Sequence, residues 1–183
     1  LFDNQYTSIH QPTAQLIDDW LRLVDLKIHN ACSVVSWSVA IRPAMLEKSQ
    51  QEVELHFANI PSESRRKRQM RAFKLGLDLP ELHEAIQIHR QLISKMEQQL
   101  QQTQWLAGDD ITVADFCVIP YIVRLNYLSL GQLFTQYDFV EQWLRNIEGL
   151  SGFNQVFFSN YPDGFIQRWK CFGKQSLKQL GVQ

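Results

Sequence analysis

Residues 105–127 read WLAGDDITVADFCVIPYIVRLNY, and the way this stretch folds decides the architecture. Thr112 stands before an apolar run and Asp115 follows three residues later, the arrangement of a capping box. In a capping box the threonine hydroxyl accepts the N–H of the third helical residue, while the carboxylate reaches back to the N–H of the cap residue. The carboxylate also lies at the positive end of the helix dipole. Ile111 before the cap and Phe116 after it are spaced as a hydrophobic staple. The helix that follows, about 112–129, is apolar almost all round, and such a helix belongs in the middle of a bundle. Pro120 removes one hydrogen bond from its interior and predicts a kink. Loss of the cap is expected to cost about 1–2 kcal/mol.

Helical spacing recurs on both sides of this segment. Behind Pro12, residues Leu16, Trp20, Leu23, Val24 and Ile28 form one stripe of a helix running to about residue 30. A second apolar stretch, 31–42, continues it or follows a kink; Pro43 interrupts it and biases Arg42 away from helical geometry. A short polar helix over 49–58 and a charged one over 62–75 come next, the latter stopped by Gly76. Leu82, Ile86, His89, Ile93, Met96 and Leu100 share one face of a helix over 80–102. Beyond the central helix, a further helix spans 136–148. The aromatic-rich stretch 153–172 predicts one or two short helices, then a frayed tail. Strand-like alternation and internal repeats are missing. The class is all-α, a bundle of about seven or eight helices.

Composition narrows the partners. Lys plus Arg number 18 against 19 Asp plus Glu, a formal net charge of -1 in 183 residues. That balance creates no long-range field to gather nucleic acid or an anionic membrane. The basic run Arg65, Arg66, Lys67, Arg68 and Arg71 reads as a solvated helix surface beside Glu63. Apolar runs such as 116–123 are too short to span a bilayer. Three widely spaced cysteines form no CxxC pair and no closed disulfide framework, which fits a reducing, cytoplasmic setting. His83 and His89 lie six apart, unlike a ligand pair on a helix face, and no Cys/His cluster has zinc spacing. Glu81 and Glu84 serve as dipole partners at a helix start as readily as acid–base groups. With no nucleophile elbow, phosphate loop or dinucleotide loop in the sequence, no residue is assigned a catalytic role and none a metal.

The pattern WLAGD-x-x-T-x-A-D, followed by an apolar helix with an internal proline, resembles the core of the glutathione-transferase C-terminal domain. Trp105, Leu106, Gly108, Asp109, Thr112, Ala114, Asp115 and Pro120 fill the matching positions. The resemblance extends to W-x4-D-x3-H from Trp20, AIRPAML ending at Met45–Leu46, R-x3-A-x3-G at 68–76 and DLPEL at 78–82. These features are most similar to bacterial transferases of the lignin β-etherase and reductive-dehalogenase type. In that family Ile111, Thr112, Asp115 and Phe116 would be a structural cap, important for folding and not for chemistry.

The resemblance implies a division into a linker (1–11), a helical domain (12–160) and a C-terminal helical tail (161–183). It implies glutathione as co-substrate, held by a thioredoxin-like N-terminal domain that this chain lacks; the chain itself would hold no cofactor. Because Leu1 rather than Met opens the sequence, that domain is expected upstream. The helical domain would shape a pocket for a small apolar electrophile and part of a homodimer contact. By spacing, His29, Ser33, Ser36, Trp37 and Ala40 share one face, with Arg124 and Tyr127 as a polar rim; Ser33, Trp37 and Arg124 are the candidate substrate contacts. Each has a plainer reading: Trp37 as core packing and Arg124 as an ion-pair partner. A missing partner domain would leave an apolar patch, expected on the first helix. The rival function is a free-standing helical module that binds proteins or small ligands without catalysis, with 153–172 either docking a partner or capping the bundle.

Overall fold

The computed structural model describes residues 11–180, so residues 1–10 of the expected linker and the last three residues lie outside the described part, and Gln11, expected in the linker, already belongs to the first helix. Among the described residues every regular element is helical, and Trp105 and Gly108 form a single isolated antiparallel bridge. Helix α1 (Gln11–Leu23), α2 (His29–Ser36) and α3 (Arg42–Leu46) are joined by π turns at Val24–Ile28 and Trp37–Ile41 into one unbroken rod. There follow α4 (Gln50–Ala58), α5 (Glu63–Leu75), α6 (Pro80–Leu100), α7 (Val113–Tyr127), α8 (Asp138–Glu148), α9 (Phe153–Phe157) and α10 (Phe165–Ser176). With the first three fused, these make eight separate rods, an all-α bundle.

The first rod passes through Pro43, where an interruption was expected. Arg42 sits at φ −58°, ψ −52°, within the helical region. The π turn before it explains the tolerance. Its hydrogen bonds reach five residues back, Arg42 N–H to the Trp37 carbonyl, so the ladder is already shifted where the imino acid arrives. Arg42 is also tied from outside: its Nε donates to the Phe73 carbonyl at 2.7 Å. The guanidinium lies over Gly76, whose φ of 59° favours glycine. One side chain thus joins the first rod to the end of α5.

Two helices organise the rest. α2 lies along α6 and α1 along α7, while α8 packs on α6 and α10 crosses both α7 and the second π turn. Val118 and Ile122 of α7 are fully buried. α7 is not covered all round, however. Val113, Phe116 and Pro120 form an outward stripe; Val113 is 51% and Phe116 55% exposed. Pro120 can sit inside this helix because the carbonyl it leaves without a partner, that of Phe116, belongs to the same exposed stripe.

α10 closes the bundle. Gly173 lies so near the end of α7 that a Cβ would come 1.7 Å from the Leu128 carbonyl oxygen. The Ser129 hydroxyl, on a residue with φ 55°, donates to the Lys170 carbonyl at 2.9 Å. Leu180 is buried and its N–H donates to the Ser176 carbonyl. In the aromatic segment Phe153 and Trp169 are buried, while Val156 and Phe158 stay exposed. Tyr161 stacks on Phe165 (4.9 Å), Phe165 meets Trp169 (4.9 Å), and the Tyr127 hydroxyl donates to the Phe157 carbonyl.

Candidate functional site

The turn before α7 is a polar hub built on one buried carboxylate. Asp115 is fully buried. Its Oδ1 accepts the Leu106 N–H at 3.0 Å and the Trp143 indole N–H at 2.8 Å. Its Oδ2 accepts the Thr112 N–H at 2.9 Å and the Thr112 hydroxyl at 3.2 Å. The same hydroxyl accepts the Ala114 N–H at 3.2 Å. The Leu106 carbonyl takes the Trp20 indole N–H at 2.8 Å. The capping box therefore also fastens α1, the WLAG turn and α8 to the start of α7. Ile111 is half-buried against the core, whereas Phe116 stands mostly in solvent.

This hub fixes the angle at which α7 faces the first rod, and a polar cluster lies between the two. His29 Nδ1 and the Tyr121 hydroxyl share a hydrogen bond at 3.2 Å, their rings edge to face. One turn on, the Cys32 thiol and the Ser36 hydroxyl are 3.9 Å apart. Burial pushes the Cys32 thiol above its ordinary pKa, with the Arg124 guanidinium and Ser36 opposing. Burial, then the nearby Asp115 charge, raise Cys117 to about 11. Burial and the neighbouring Cys32, Cys117 and Asp25 likewise raise Tyr121. The cluster thus presents protonated thiols, a protonated phenol and a guanidinium. These are groups that bind and orient a polar atom; none is an activated nucleophile.

The candidate substrate contacts are dispersed around this cluster. Ser33 is exposed on the outside of the first rod. Trp37 is buried, stacked on Phe57 at 6.4 Å and tilted against His56. Arg124 lies over the Trp169 ring at 4.7 Å and within the field of Cys32. The spacing that placed His29, Ser33, Ser36, Trp37 and Ala40 on one face loses its meaning beyond Val35. From there to Ala40 every residue is buried, because α5, α10 and the turn at Gly76–Asp78 (a 3-10 helix) surround the rod. Tyr121 was not singled out from the sequence, although its three-residue spacing from Arg124 on α7 was a usable signal.

A separate groove of about 1070 Å³ opens between the end of α3, α4 and α5. Ser33, Trp37 and Arg124 do not line it, but Phe57, on which Trp37 stacks, does. Among the described residues no three or more His, Cys, Asp or Glu side chains converge as a metal site, and no helix is long and apolar enough to cross a membrane.

An all-helical bundle locked at a Thr/Asp cap defines a class, and comparison with known proteins agrees. Residues 80–146 match the model of the family described as glutathione S-transferase, C-terminal domain. Among solved structures, the chain is similar in fold to the β-etherase LigF from Sphingobium sp. strain SYK-6. The TM-score is 0.67 at 20% identity, over 79% of this chain and 61% of that one. Curated proteins return no match. The family match is confined to residues 80–146, and over the rest of the chain the likeness is one of fold.

Proposed function

We propose that the chain is the helical half of a glutathione-transferase-like protein and forms the wall of its co-substrate pocket. One observation carries the proposal: α1 and α7, packed side by side, expose large apolar residues. Leu26 beside α1 is 69% exposed, Phe116 55% and Val113 51%. Such a surface fits a second domain packed against it. In this reading the covering partner is the thioredoxin-like domain that holds glutathione. The linker, helical domain and tail would then divide as 1–11, 12–160 and 161–183. The cluster of His29, Cys32, Ser36, Tyr121 and Arg124 faces a small apolar electrophile, while Ser33 on the outer face and Trp37 enclosed against Phe57 stand apart from it. Fixing the two reactants side by side supplies the rate. The protein is proposed to work in the cytoplasm as a homodimer.

The test uses the full gene product, assayed for glutathione-dependent cleavage of aryl ethers and chlorinated aromatics, with its mass followed by light scattering. Turnover that needs the upstream domain, with KM raised by Arg124→Ala and Tyr121→Phe, supports the proposal. A full product with no thioredoxin-like domain and no turnover overturns it in favour of a free-standing binding module.

A further inference from the structure

Arg124 is held in a way that leaves its hydrogen-bonding capacity unused. Its Cζ lies 4.7 Å from the centre of the Trp169 ring and 6.0 Å from that of Tyr127. Trp169 meets Phe165, Phe165 stacks on Tyr161, and Tyr161 meets Tyr127 edge to face at 5.7 Å. Four rings and the guanidinium thus close a circle between α10 and the end of α7. A ring face attracts a cation through its quadrupole, but it offers the N–H groups no lone pair. Among the described residues no carboxylate lies within ion-pair distance of Arg124, and no oxygen accepts a hydrogen bond from its side chain. Arg168, beside Trp169 on α10, is by contrast paired with Glu47.

The charge acts on the co-substrate cluster. Its field reaches the Cys32 thiol, where it opposes the rise that burial causes. Two carboxylates act on other members of the cluster, Asp25 on Tyr121 and Asp115 on Cys117. Neither pairs with Arg124, and Asp115 is committed to its own donors. Arg124, Tyr121 and Cys32 are each partly open to solvent, so a ligand can reach them. A half-buried guanidinium with aromatic neighbours and no counter-ion suits a planar anion carried on an aromatic ring. Its fork of N–H groups matches both oxygens of a carboxylate, which a lysine ammonium does not.

We infer that the electrophile taken by this site is an aromatic carboxylate, its anionic group received by Arg124, with Trp169 as the positioning residue that holds the guanidinium. The inference rests on the co-substrate reading above and names the substrate class within it: an apolar ring bearing one negative charge.

The experiment uses the full gene product and two substrates that differ in charge, para-chloro-meta-nitrobenzoate and its methyl ester. In both, the glutathione sulfur bonds to the ring carbon, chloride leaves with the C–Cl electron pair, and the thiol proton passes to solvent. Each rate is divided by the uncatalysed rate with glutathione, because the ester is the more reactive. The unreactive pair meta-nitrobenzoate and its methyl ester is titrated by calorimetry. The carboxylates are expected to exceed the esters at least about tenfold in kcat/KM and in affinity, with the advantage shrinking between about 0.1 and 1 M salt. Arg124→Gln should bring that ratio to about one, whereas Arg124→Lys keeps part of it. Trp169→Leu should raise KM for the carboxylate several-fold with little change in kcat, and Trp169→Phe, which keeps a ring face, should restore it. Circular-dichroism melts identify the variants that fold. Equal turnover and binding of acid and ester would overturn the inference and leave the co-substrate reading standing. So would a preference that survives Arg124→Gln in a folded variant. A KM for glutathione that rises in that variant equally with both electrophiles would also overturn it, since the cation would then hold a carboxylate of glutathione. Absence of glutathione-dependent turnover with either substrate would remove the co-substrate reading and the inference with it.

Discussion

Replacing Asp115 by alanine tests the physical core of this fold. The carboxylate is fully buried and holds four donors: the N–H groups of Leu106 and Thr112, the Trp143 indole and the Thr112 hydroxyl. Alanine leaves at least two of them, the Leu106 N–H and the Trp143 indole, in places water does not reach. A stranded buried donor costs about 1–3 kcal/mol. Loss of the carboxylate arm of the cap adds about 1 kcal/mol. Part of this is offset because a buried carboxylate is itself expensive to desolvate. The net expectation is about 4 kcal/mol, which at this chain length lowers Tm by roughly 8–16 °C. Asparagine keeps an acceptor for one pair of donors and turns its amide toward the other, so it should fall between, at about 2 kcal/mol. Urea denaturation followed by circular dichroism and tryptophan fluorescence measures both. The sharper measurement is a cycle with Trp143→Phe, which removes the donor together with its acceptor. The double variant should then be less damaged than the sum of the singles by about 1–2 kcal/mol. A loss below about 1 kcal/mol for alanine, or additive single effects, would refute the idea that one carboxylate ties α7 to α1 and α8.

Other expectations follow from single positions. Gly173→Ala puts a methyl group 1.7 Å from the Leu128 carbonyl oxygen, so α10 must lift from α7; a stability loss above about 2 kcal/mol and faster proteolysis after Phe158 are expected. His89 is fully buried, its Nδ1 against the Ala85 carbonyl at 2.7 Å and its Nε2 without a partner among the described residues. Burial holds its pKa below the usual 6.5, with the Ala85 bond opposing. The unfolded chain therefore takes up this proton first as pH falls, so stability is full above about 6.5 and declines below it until the folded pKa is reached. Urea midpoints at a series of pH values should show that slope, and His89→Leu should lessen it.

Much of the bundle was legible because its signals are local. A Thr and an Asp three residues apart, followed by an unbroken apolar run, can be read without knowing any neighbour, since both halves of a capping box belong to the same turn. The stop at Gly76 and the start at Pro80 are equally local. The passage of the first rod through Pro43 was not, because it depends on a π turn and on Arg42 being held by a carbonyl on α5. The candidate site was the least legible part. Ser33 and Trp37 are one helical turn apart and share a face by periodicity, yet one is exposed and the other enclosed, since three other elements close around the rod between them. The Tyr121–His29 pair joins positions 92 residues apart, and no spacing rule reaches that far.

By itself the sequence determined that this is a helical bundle and where its central helix begins, because hydrogen bonding within a turn and the period of apolar side chains act over a few residues. Only the tertiary structure decided which face of α7 remains uncovered, what holds the Arg124 guanidinium, and what gathers around Tyr121. Those outcomes depend on how rods cross and how closely they approach, and such geometry is set by the whole assembly of side chains at once.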